Sequence, residues 1–528
     1  MEALSVIATV FNNELQKVTE NQNCGTQAFS ESIPSDESDF TPFIFSEKAI
    51  QSIQKVIGDQ REGHKQLRVT FASVLGNFAE WLNMHTEPLS LCFNFLLSEM
   101  VNSHAPMTAA SALTEICSVC QVPLSSYADE ILNLCMTTLP NVHKHVQGKI
   151  IQSLSYVIQA LPPAEAAPRL NYIIIGILDQ IAGDITIREN EGDSDQLKDT
   201  LLFHLGFLKS FCKGASHHSP HHSPTRTSVI DIELNEEEKQ LGNRFVQVIG
   251  NIFRYWVSDL SITIEICIIL KDAFKSEIKF IKAQSKIILE YISEAFNHAQ
   301  HACLLSSAIS VLPAINQSSA PNDTDLYPAS IAICNTFSQK CTNLPFMEDN
   351  SDVIHEFYEF LTWLLRKCPS IVNDFQPQFI EASFRDCILI GLLMADVLIL
   401  QSILKFLREL LALGSEQCPL EEFVKSILSQ IGEPVFIQML TGIGGGQASS
   451  VVPKIADTLL CFITHFPVAS QQLLKICLDR EGFPSQKVTH EDKENFQKEI
   501  LGTRKSKPFK EAVRAFSLKC RGLAQLTK

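Results

Sequence analysis

The fold is decided by residues 106–162, which read PMTAASALTEICSVCQVPLSSYADEILNLCMTTLPNVHKHVQGKIIQSLSYVIQALP. Apolar residues recur there in steps of three and four, which places them on one face of each of three successive α-helices. The three apolar stripes are Ala109, Leu113, Ile116, Cys117 and Cys120; Tyr127, Ile131, Leu132, Cys135 and Leu139; and Val146, Ile150, Leu154, Val157, Ile158 and Leu161. Proline lacks a backbone N–H and forces its predecessor out of helical geometry, so Pro123, Pro140 and Pro162 are expected to end the three helices.

The same rhythm of amphipathic helices continues along most of the chain, with hardly a strand signal between them. Only a few residues separate consecutive helices, so neighbours are expected to fold back antiparallel. One pair cannot bury its apolar stripes alone, whereas stacked pairs form a continuous core. The sequence therefore predicts an all-α fold, a superhelical α-solenoid of antiparallel helix pairs that presents a long surface to other macromolecules.

One segment interrupts the helical rhythm, at residues 213–238. It combines histidines, two Ser-Pro pairs and a run of acidic residues, and it has no apolar stripe, so we expect an exposed loop. Helical repeats are expected on both sides, over residues 1–212 and 239–528, the second block ending in capping helices. The predicted first helix, residues 2–15, has no capping segment before it, which suggests a truncated start, because a repeat array needs a polar cap.

The 528-residue chain carries a net charge of −16. This charge argues against general nucleic-acid binding, because phosphates attract basic surfaces. An acidic surface favours basic protein partners, but acidity also keeps a protein soluble, and the sequence alone leaves both interpretations open.

Sixteen cysteines lie mostly among aliphatic residues of helical runs, where an unpaired thiol behaves as a small hydrophobic group. This placement predicts reduced thiols in the cytosol or nucleus rather than a disulfide framework. The best candidate for a membrane span, residues 387–404, is interrupted by Asp396, Gln401 and Ser402. It is better interpreted as the end of one buried helix and the start of another, so no membrane insertion is expected.

No motif in the sequence points to a catalytic residue, a cofactor or a metal site. Cys117 and Cys120 form a CxxC pair, but both lie on an apolar stripe without a second pair or a nearby histidine. The glycines at residues 442–446 lack the Lys-Ser/Thr pair of a phosphate-binding loop. The histidines of the 213–238 segment suit a transition metal, but nothing rigid around them fixes a geometry; they are His217, His218, His221 and His222. We do not expect an enzyme.

Three short motifs near the end of the chain resemble successive landmarks of nuclear transport receptors in the importin-β superfamily. They are IGGGQAS at residues 443–449, GFPS at 482–485 and CRGL at 520–523, in matching order and approximate spacing. The ICSVC sequence at residues 116–120 is similar to a helix of the same receptors. Three glycines stand at 444–446 where the family usually has two. The resemblance covers essentially the whole chain, but only about the C-terminal half of a full-length relative.

This resemblance implies a HEAT-repeat α-solenoid and the activity of a nuclear transport receptor (karyopherin-β) that shuttles between cytoplasm and nucleus. It implies import, with export as a further direction, of basic nuclear or RNA-associated protein cargo. It also implies weak contacts with Phe-Gly nucleoporins and cargo exchange under the control of Ran-GTP. In the superfamily the first repeats supply the main Ran-GTP-binding surface, which has no counterpart in this sequence.

The second helix of each HEAT pair usually lines the inner surface that binds cargo. By the rhythm of this sequence those helices include residues 106–121, 142–161, 261–273, 353–368, 398–413 and 445–466. Their acidic residues Glu265, Asp272, Glu356 and Glu359 are the predicted contacts for basic cargo. A different class of function remains open, since HEAT arrays also serve as scaffold subunits of cytosolic or nuclear enzyme complexes.

Overall fold

A computed structural model describes residues 65–102, 105–215, 234–276, 278–318, 326–394, 396–414 and 418–523. All regular structure within these ranges is helical. The first twelve helices are α1 (Lys65–Asn77), α2 (Ala79–Met84), α3 (Leu89–Asn102), α4 (Pro106–Val119), α5 (Gln121–Ser125), α6 (Ala128–Thr138), α7 (Lys144–Gln159), α8 (Pro163–Glu191), α9 (Asp195–Ala215), α10 (Glu236–Trp256), α11 (Leu260–Lys275) and α12 (Lys279–Lys282). The next are α13 (Ser285–His298), α14 (Ala302–Ser318), α15 (Tyr327–Lys340), α16 (Leu344–Asp349), α17 (Ser351–Lys367), α18 (Pro377–Ile380), α19 (Cys387–Leu393), α20 (Val397–Leu413), α21 (Glu421–Thr441), α22 (Val452–His465), α23 (Pro467–Leu478), α24 (His490–Gly502) and α25 (Ser506–Arg521). The predicted helix at residues 2–15 and the four histidines of the predicted loop lie outside the described residues.

The chain forms two compact units, and the first contains the described parts of Met1–Asn251 and Ile268–Gln284. Its helices α1, α4, α7 and α9 pack against one another in that order, and we call them B helices. Helices α3, α6 and α8 each pack against the B helix that follows them, and we call these A helices. The predicted all-α HEAT-type arrangement of stacked helix pairs is thus confirmed in this unit.

The second unit contains the described parts of Ile252–Cys267 and Ser285–Lys528. Helices α14, α17, α20 and α22 pack in sequence as its B helices, while α13, α19 and α21 are A helices of the following partners. The last helix, α25, packs on α22 in the opposite direction. Lys510 of α25 pairs with Asp457 of α22, whereas Ser517, two turns further on, donates to the carbonyl of Ile443, which precedes α22.

Two B helices of the first unit approach each other so closely that only small residues fit between them. A Cβ atom on Gly214 of α9 would lie 2.5 Å from Ser155 Cβ and 2.6 Å from the carbonyl oxygen of Gln152 on α7. A Cβ atom on Gly148 of α7 would lie 2.9 Å from Ser210 Oγ on α9. The contact is therefore made backbone to backbone, and residues 150–158 of α7 are buried without interruption.

The three helices end two to four residues before the quoted prolines, as predicted, but the prolines themselves belong to the start of the next element. Pro123 lies within the first turn of the short helix α5, and Pro140 lies in a 3-10 turn, Leu139–Asn141. Pro162 is the residue that caps the start of α8. Proline suits the first turn of a helix, because its N–H would have no acceptor there and its φ is already helical.

Helices extend into the predicted 213–238 loop from both sides. Helix α9 continues to Ala215, which is buried, and α10 begins at Glu236. The side chain of Asn235 accepts a hydrogen bond from the N–H of Glu238 at 2.8 Å, and the carboxylate of Glu238 accepts one from the N–H of Asn235 at 3.0 Å. The end of the acidic run therefore starts a helix. Negative charge is stabilising there, because the N-terminal end of the helix dipole is positive.

One described helix, over residues 164–191 of α8, is long and apolar enough to cross a membrane by length and composition. Its buried residues, including Ile174, Leu178 and Ile181, form one stripe. As an A helix, α8 packs against α7 and α9. The other candidate, residues 387–404, divides into α19 and α20, as predicted. Asp396 separates them and accepts hydrogen bonds from the N–H groups at the start of α20.

None of the described cysteines forms a disulfide, as the sequence predicted, and most are buried. Burial raises the pKa of Cys92 and Cys135 to about 12. Burial likewise raises the pKa of Cys117 and Cys120, the CxxC pair. These thiols stay neutral at physiological pH and pack as small apolar groups.

Candidate protein-binding surface

The six helices predicted to face cargo correspond to α4, α7, α11, α17, α20 and α22. Five of them are B helices within their units; α11 is divided between the two units. The range 445–466 was too long, because α22 begins at Val452. Gly445 has a φ of 121°, which breaks the helical path before it, and a π-helical turn, Gly442–Gly446, ends α21.

Glu265 and Asp272 lie on α11 and are both half-buried. Asp272 belongs to the first unit, where its side chain is 20% exposed and pairs with Lys275 at 3.6 Å. The buried Tyr156 lies within its electrostatic influence: burial raises the pKa of that phenol, and the carboxylates of Glu115 and Asp272 add to the rise. Glu265 belongs to the second unit.

Glu356 and Glu359 lie three residues apart on the same side of α17, in the second unit, and both are half-buried. The carboxylate of Glu359 is 25% exposed and accepts a hydrogen bond from the ammonium of Lys405 on α20. Two helical turns further along α17, Arg366 pairs with Glu409 of α20. The structure therefore brings two of the predicted acids together, but it also sets cations beside them. Glu265 and Asp272 lie on one helix whose two parts are assigned to different units.

Cations of α20 and α25 meet at the carboxylate of Asp457 on α22. Beyond Lys405, helix α20 carries Arg408, whose guanidinium lies 3.9 Å from Asp457 of α22. Lys510 of α25 donates to the same carboxylate at 2.8 Å. The basic stripe of the last helix was visible in the sequence, but its register against α22 depends on a contact between residues 53 positions apart in the chain.

A cleft of about 290 Å³ lies between neighbouring A-layer segments of the second unit. Its walls come from α18, from the π-helical turn Glu381–Asp386 that follows it, and from α21. Its apolar lining is Pro377, Ile380, Ile427 and Ile431, and its polar lining is Glu381, Arg385 and Gln430. Arg385 pairs with Glu381 at 2.6 Å and with Asp386 at 2.7 Å, so its charge is neutralised at the rim. The cleft can therefore take an apolar side chain better than a charged one.

The three C-terminal motifs meet at one place in the second unit, which we call the C-terminal junction, residues 442–449, 482–485 and 517–523. A Cβ atom on Gly444 would lie 2.6 Å from the carbonyl oxygen of Pro484, so the backbones of the first two motifs touch. Arg521 donates to the carbonyl of Gln447 at 2.6 Å, and Ser485 donates to the carbonyl of Cys520 at 2.8 Å. The glycines thus serve close backbone packing.

No group of three or more His, Cys, Asp or Glu side chains suited to a metal ion occurs in the part of the chain that the structure describes. The described surface instead carries mixed ion pairs on the B helices and, in the second unit, a largely apolar cleft.

Comparison with known proteins agrees with this geometry. Residues 47–134 match the family described as Transportin-3/Importin-13 third TPR domain. Importin-13 of Gallus gallus and of Homo sapiens are each 23% identical over 507 residues, which is 94% of this chain and 50% of the relative. The chain is importin-13-like. It spans about half the length of the curated relatives it matches.

Two further comparisons extend the likeness of this importin-13-like chain. The importin beta-like protein kap111 of Schizosaccharomyces pombe is 23% identical over 488 residues, covering 87% of the chain and 46% of the relative. A solved structure titled Importin13 cytosolic state superimposes with a TM-score of 0.70 at 17% identity, over 90% of this chain and 52% of that one. A crystal structure of importin beta gives a TM-score of 0.54 at 12% identity. These structures support the HEAT-type fold.

Proposed function

We propose that the chain acts as a nuclear transport receptor, or the cargo-binding part of one, for protein cargo that crosses the nuclear pore under Ran-GTP control. The likeness to importin-13 over 94% of the chain carries this proposal. It is supported by stacked helix pairs whose B helices present half-buried charged side chains. Such a receptor shuttles between cytoplasm and nucleus, and the acidic net charge of −16 suits basic cargo.

The cleft between α18 and α21 is our candidate contact for Phe-Gly repeats of nucleoporins. An aromatic side chain would bury its ring against Ile380, Ile427 and Ile431, while the ion-paired Arg385 stays at the rim. Burial of one aromatic ring stabilises a contact by about 1.5–3 kcal/mol before binding costs are subtracted, so a single cleft gives a weak and rapidly exchanging contact. Such contacts suit passage through a pore.

A binding assay with immobilised Phe-Gly repeats tests this contact. Ile380→Glu places a charge in the cleft at a half-buried position and is expected to reduce binding several-fold. Val468→Glu, at an apolar residue of α23 that is 69% exposed and outside the cleft, serves as the matched control. If the two variants bind equally well, the cleft is not the contact. The capture of a stable stoichiometric enzyme complex, with no binding of repeats or Ran-GTP, would instead favour a scaffold subunit.

Basic cargo is proposed to contact Glu265, Asp272, Glu356 and Glu359. At Glu359 the cargo would have to share the carboxylate with Lys405, and this competition gives a two-way test. Glu359→Gln should weaken binding of a basic probe peptide, whereas Lys405→Met should strengthen it, because the carboxylate loses its internal partner. The assay is run at low salt, where exposed charges are least screened. If neither variant changes the affinity for the basic peptide, Glu359 is not part of the cargo contact.

A further inference from the structure

We propose that the adjoining faces of α22 and α25 bind an acidic segment of a partner protein through Lys454, Lys507 and Arg514. The proposal concerns a surface of opposite charge to the one suggested for basic cargo, and it stands whether or not the chain is a transport receptor. We call this surface the α22–α25 basic face.

The register of the two helices fixes which cations are neighbours. Lys510 contacts Asp457, and Ser517 and Arg521 reach back to Ile443 and Gln447, ahead of the start of α22. The helices are therefore antiparallel. Lys454 lies one turn before Asp457 on α22, and Arg514 lies one turn after Lys510 on α25, so the two cations stand at about the same level across the helix contact.

The acid nearest to these cations along α25 is Glu511, one helical turn from both Lys507 and Arg514, and it forms no ion pair with either in the described residues. Lys454, Lys507 and Arg514 are exposed, and none has a side-chain hydrogen bond or ion pair in the part of the chain that the structure describes. Asp457, the carboxylate at the centre of the face, is already bonded to Lys510 and lies near Arg408. Together with Lys510 and Arg408, the three cations outnumber the two acids Asp457 and Glu511, so the local charge is positive although the chain as a whole carries −16.

The same three cations differ from the other basic groups of these helices. Lys519 is bonded to Asp492 at 2.7 Å, and Arg521 is bonded to backbone carbonyls of the C-terminal junction. Those two side chains form contacts within the fold, whereas Lys454, Lys507 and Arg514 form no side-chain hydrogen bond or ion pair in the described residues. Along α25 the residues 507, 510 and 514 form one stripe of about 10 Å, since each residue rises 1.5 Å. An extended peptide advances about 3.3 Å per residue, so a few successive acidic residues span the stripe.

A protein segment rich in Asp and Glu is favoured over nucleic acid as the occupant. The chain as a whole is acidic and would repel a long polyanion such as a nucleic acid, and α25 exposes no aromatic residue on which bases could stack. A short acidic peptide needs only the local cations.

The test is fluorescence anisotropy of the full chain with a labelled oligo-glutamate peptide at low salt. An oligo-glutamine peptide of equal length is the neutral probe, and a single-stranded RNA of equal charge is the competing polyanion. The double variant Lys507→Glu/Arg514→Glu is expected to weaken oligo-glutamate binding by about tenfold or more, since each reversal replaces an attraction by a repulsion. Lys454→Gln, a milder change on the other helix, should weaken it by a smaller factor.

The control double variant is Lys475→Glu/Lys498→Glu, which reverses two exposed lysines on α23 and α24 and changes the net charge by the same amount. It should bind oligo-glutamate within about twofold of the unmodified chain. Equal losses in the two double variants would show a bulk charge effect and overturn the proposal. Absence of oligo-glutamate binding, equal binding of oligo-glutamine, or tighter binding of RNA would each overturn it as well. Circular dichroism of every variant confirms that the helices are retained.

Discussion

Gly214 shows how a single residue sets the spacing of two helices. The carbonyl of Gln152 and the Cβ atom of Ser155 occupy the space that a side chain would need. Gly214→Ala should therefore push α9 away from α7 and lower the free energy of unfolding by about 1–3 kcal/mol, the usual cost of overpacking. Chemical denaturation followed by circular dichroism measures the loss.

Gly206 on the same helix is the matched control, because nothing lies within 4 Å of a Cβ atom placed there. Gly206→Ala should raise stability by about 0.5–1 kcal/mol, since alanine has the higher helix propensity. If both substitutions have the same sign and size, the close approach of α7 and α9 is not what the structure indicates.

Asp492 links stability to pH. The hydrogen bond from Lys519 and those from the backbone and side chain of Thr489 lower its pKa from 3.8 to about 2. A carboxylate whose pKa is lower in the folded state stabilises the fold fully above its unfolded pKa and loses that contribution as the pH falls toward the folded value. Asp492→Asn should cost roughly 0.5 kcal/mol at neutral pH, the scale of an exposed ion pair.

The difference between the unmodified chain and Asp492→Asn should be constant above about pH 5 and shrink between about pH 4 and pH 2. Thermal unfolding across this pH range measures it. A difference that grows as the solution becomes acidic would contradict the assigned hydrogen bonds.

At the scale of elements, the C-terminal junction holds α25 against the end of α21 through Arg521. Its guanidinium donates to the carbonyls of Gly442 and Gln447, which lie at the π-helical turn before α22. Arg521→Ala should leave these carbonyls without their charged donor and cost about 1–3 kcal/mol. Hydrogen exchange should quicken in residues 442–447 and in α25.

Arg514 lies on the same helix, and its side chain has no such partner in the described residues. Arg514→Ala should therefore leave hydrogen exchange at the junction unchanged. Equal exchange in the two variants would show that Arg521 does not fasten the junction.

Helix stripes could be predicted from the sequence because they depend on local spacing alone. The buried residues Val146, Ile150, Leu154, Val157 and Ile158 of α7 are those the steps of three and four identified. The sequence did not show that Pro123 and Glu236 lie at the start of a helix. A proline or an acidic residue beside a break fits either the end of one element or the start of the next. Only the packing of the neighbouring helices decides between them.

The candidate binding residues could be predicted less well, because ion pairing joins helices about 45 residues apart. The sequence identified Glu359 as an acidic position on the right helix, but it gave no sign of Lys405 beside it. The cleft at α18 depends on a π-helical turn, Glu381–Asp386, which the spacing of apolar residues does not reveal.

At the scale of the whole molecule, the chain forms two units of stacked helix pairs, and we propose that their surfaces bind proteins. Their weak apolar cleft and mixed ion pairs suit contacts that form and break quickly. From the likeness to importin-13 we proposed above that these contacts serve passage through the nuclear pore.

Entry of the labelled chain into nuclei of permeabilised cells tests this central claim most directly. At 58.9 kDa the chain is compared with an inert globular protein of similar mass, which passes the pore slowly. The account predicts that the chain enters much faster than the inert protein and that Ile380→Glu slows its entry. Exclusion of the chain to the same extent as the inert protein would contradict the account.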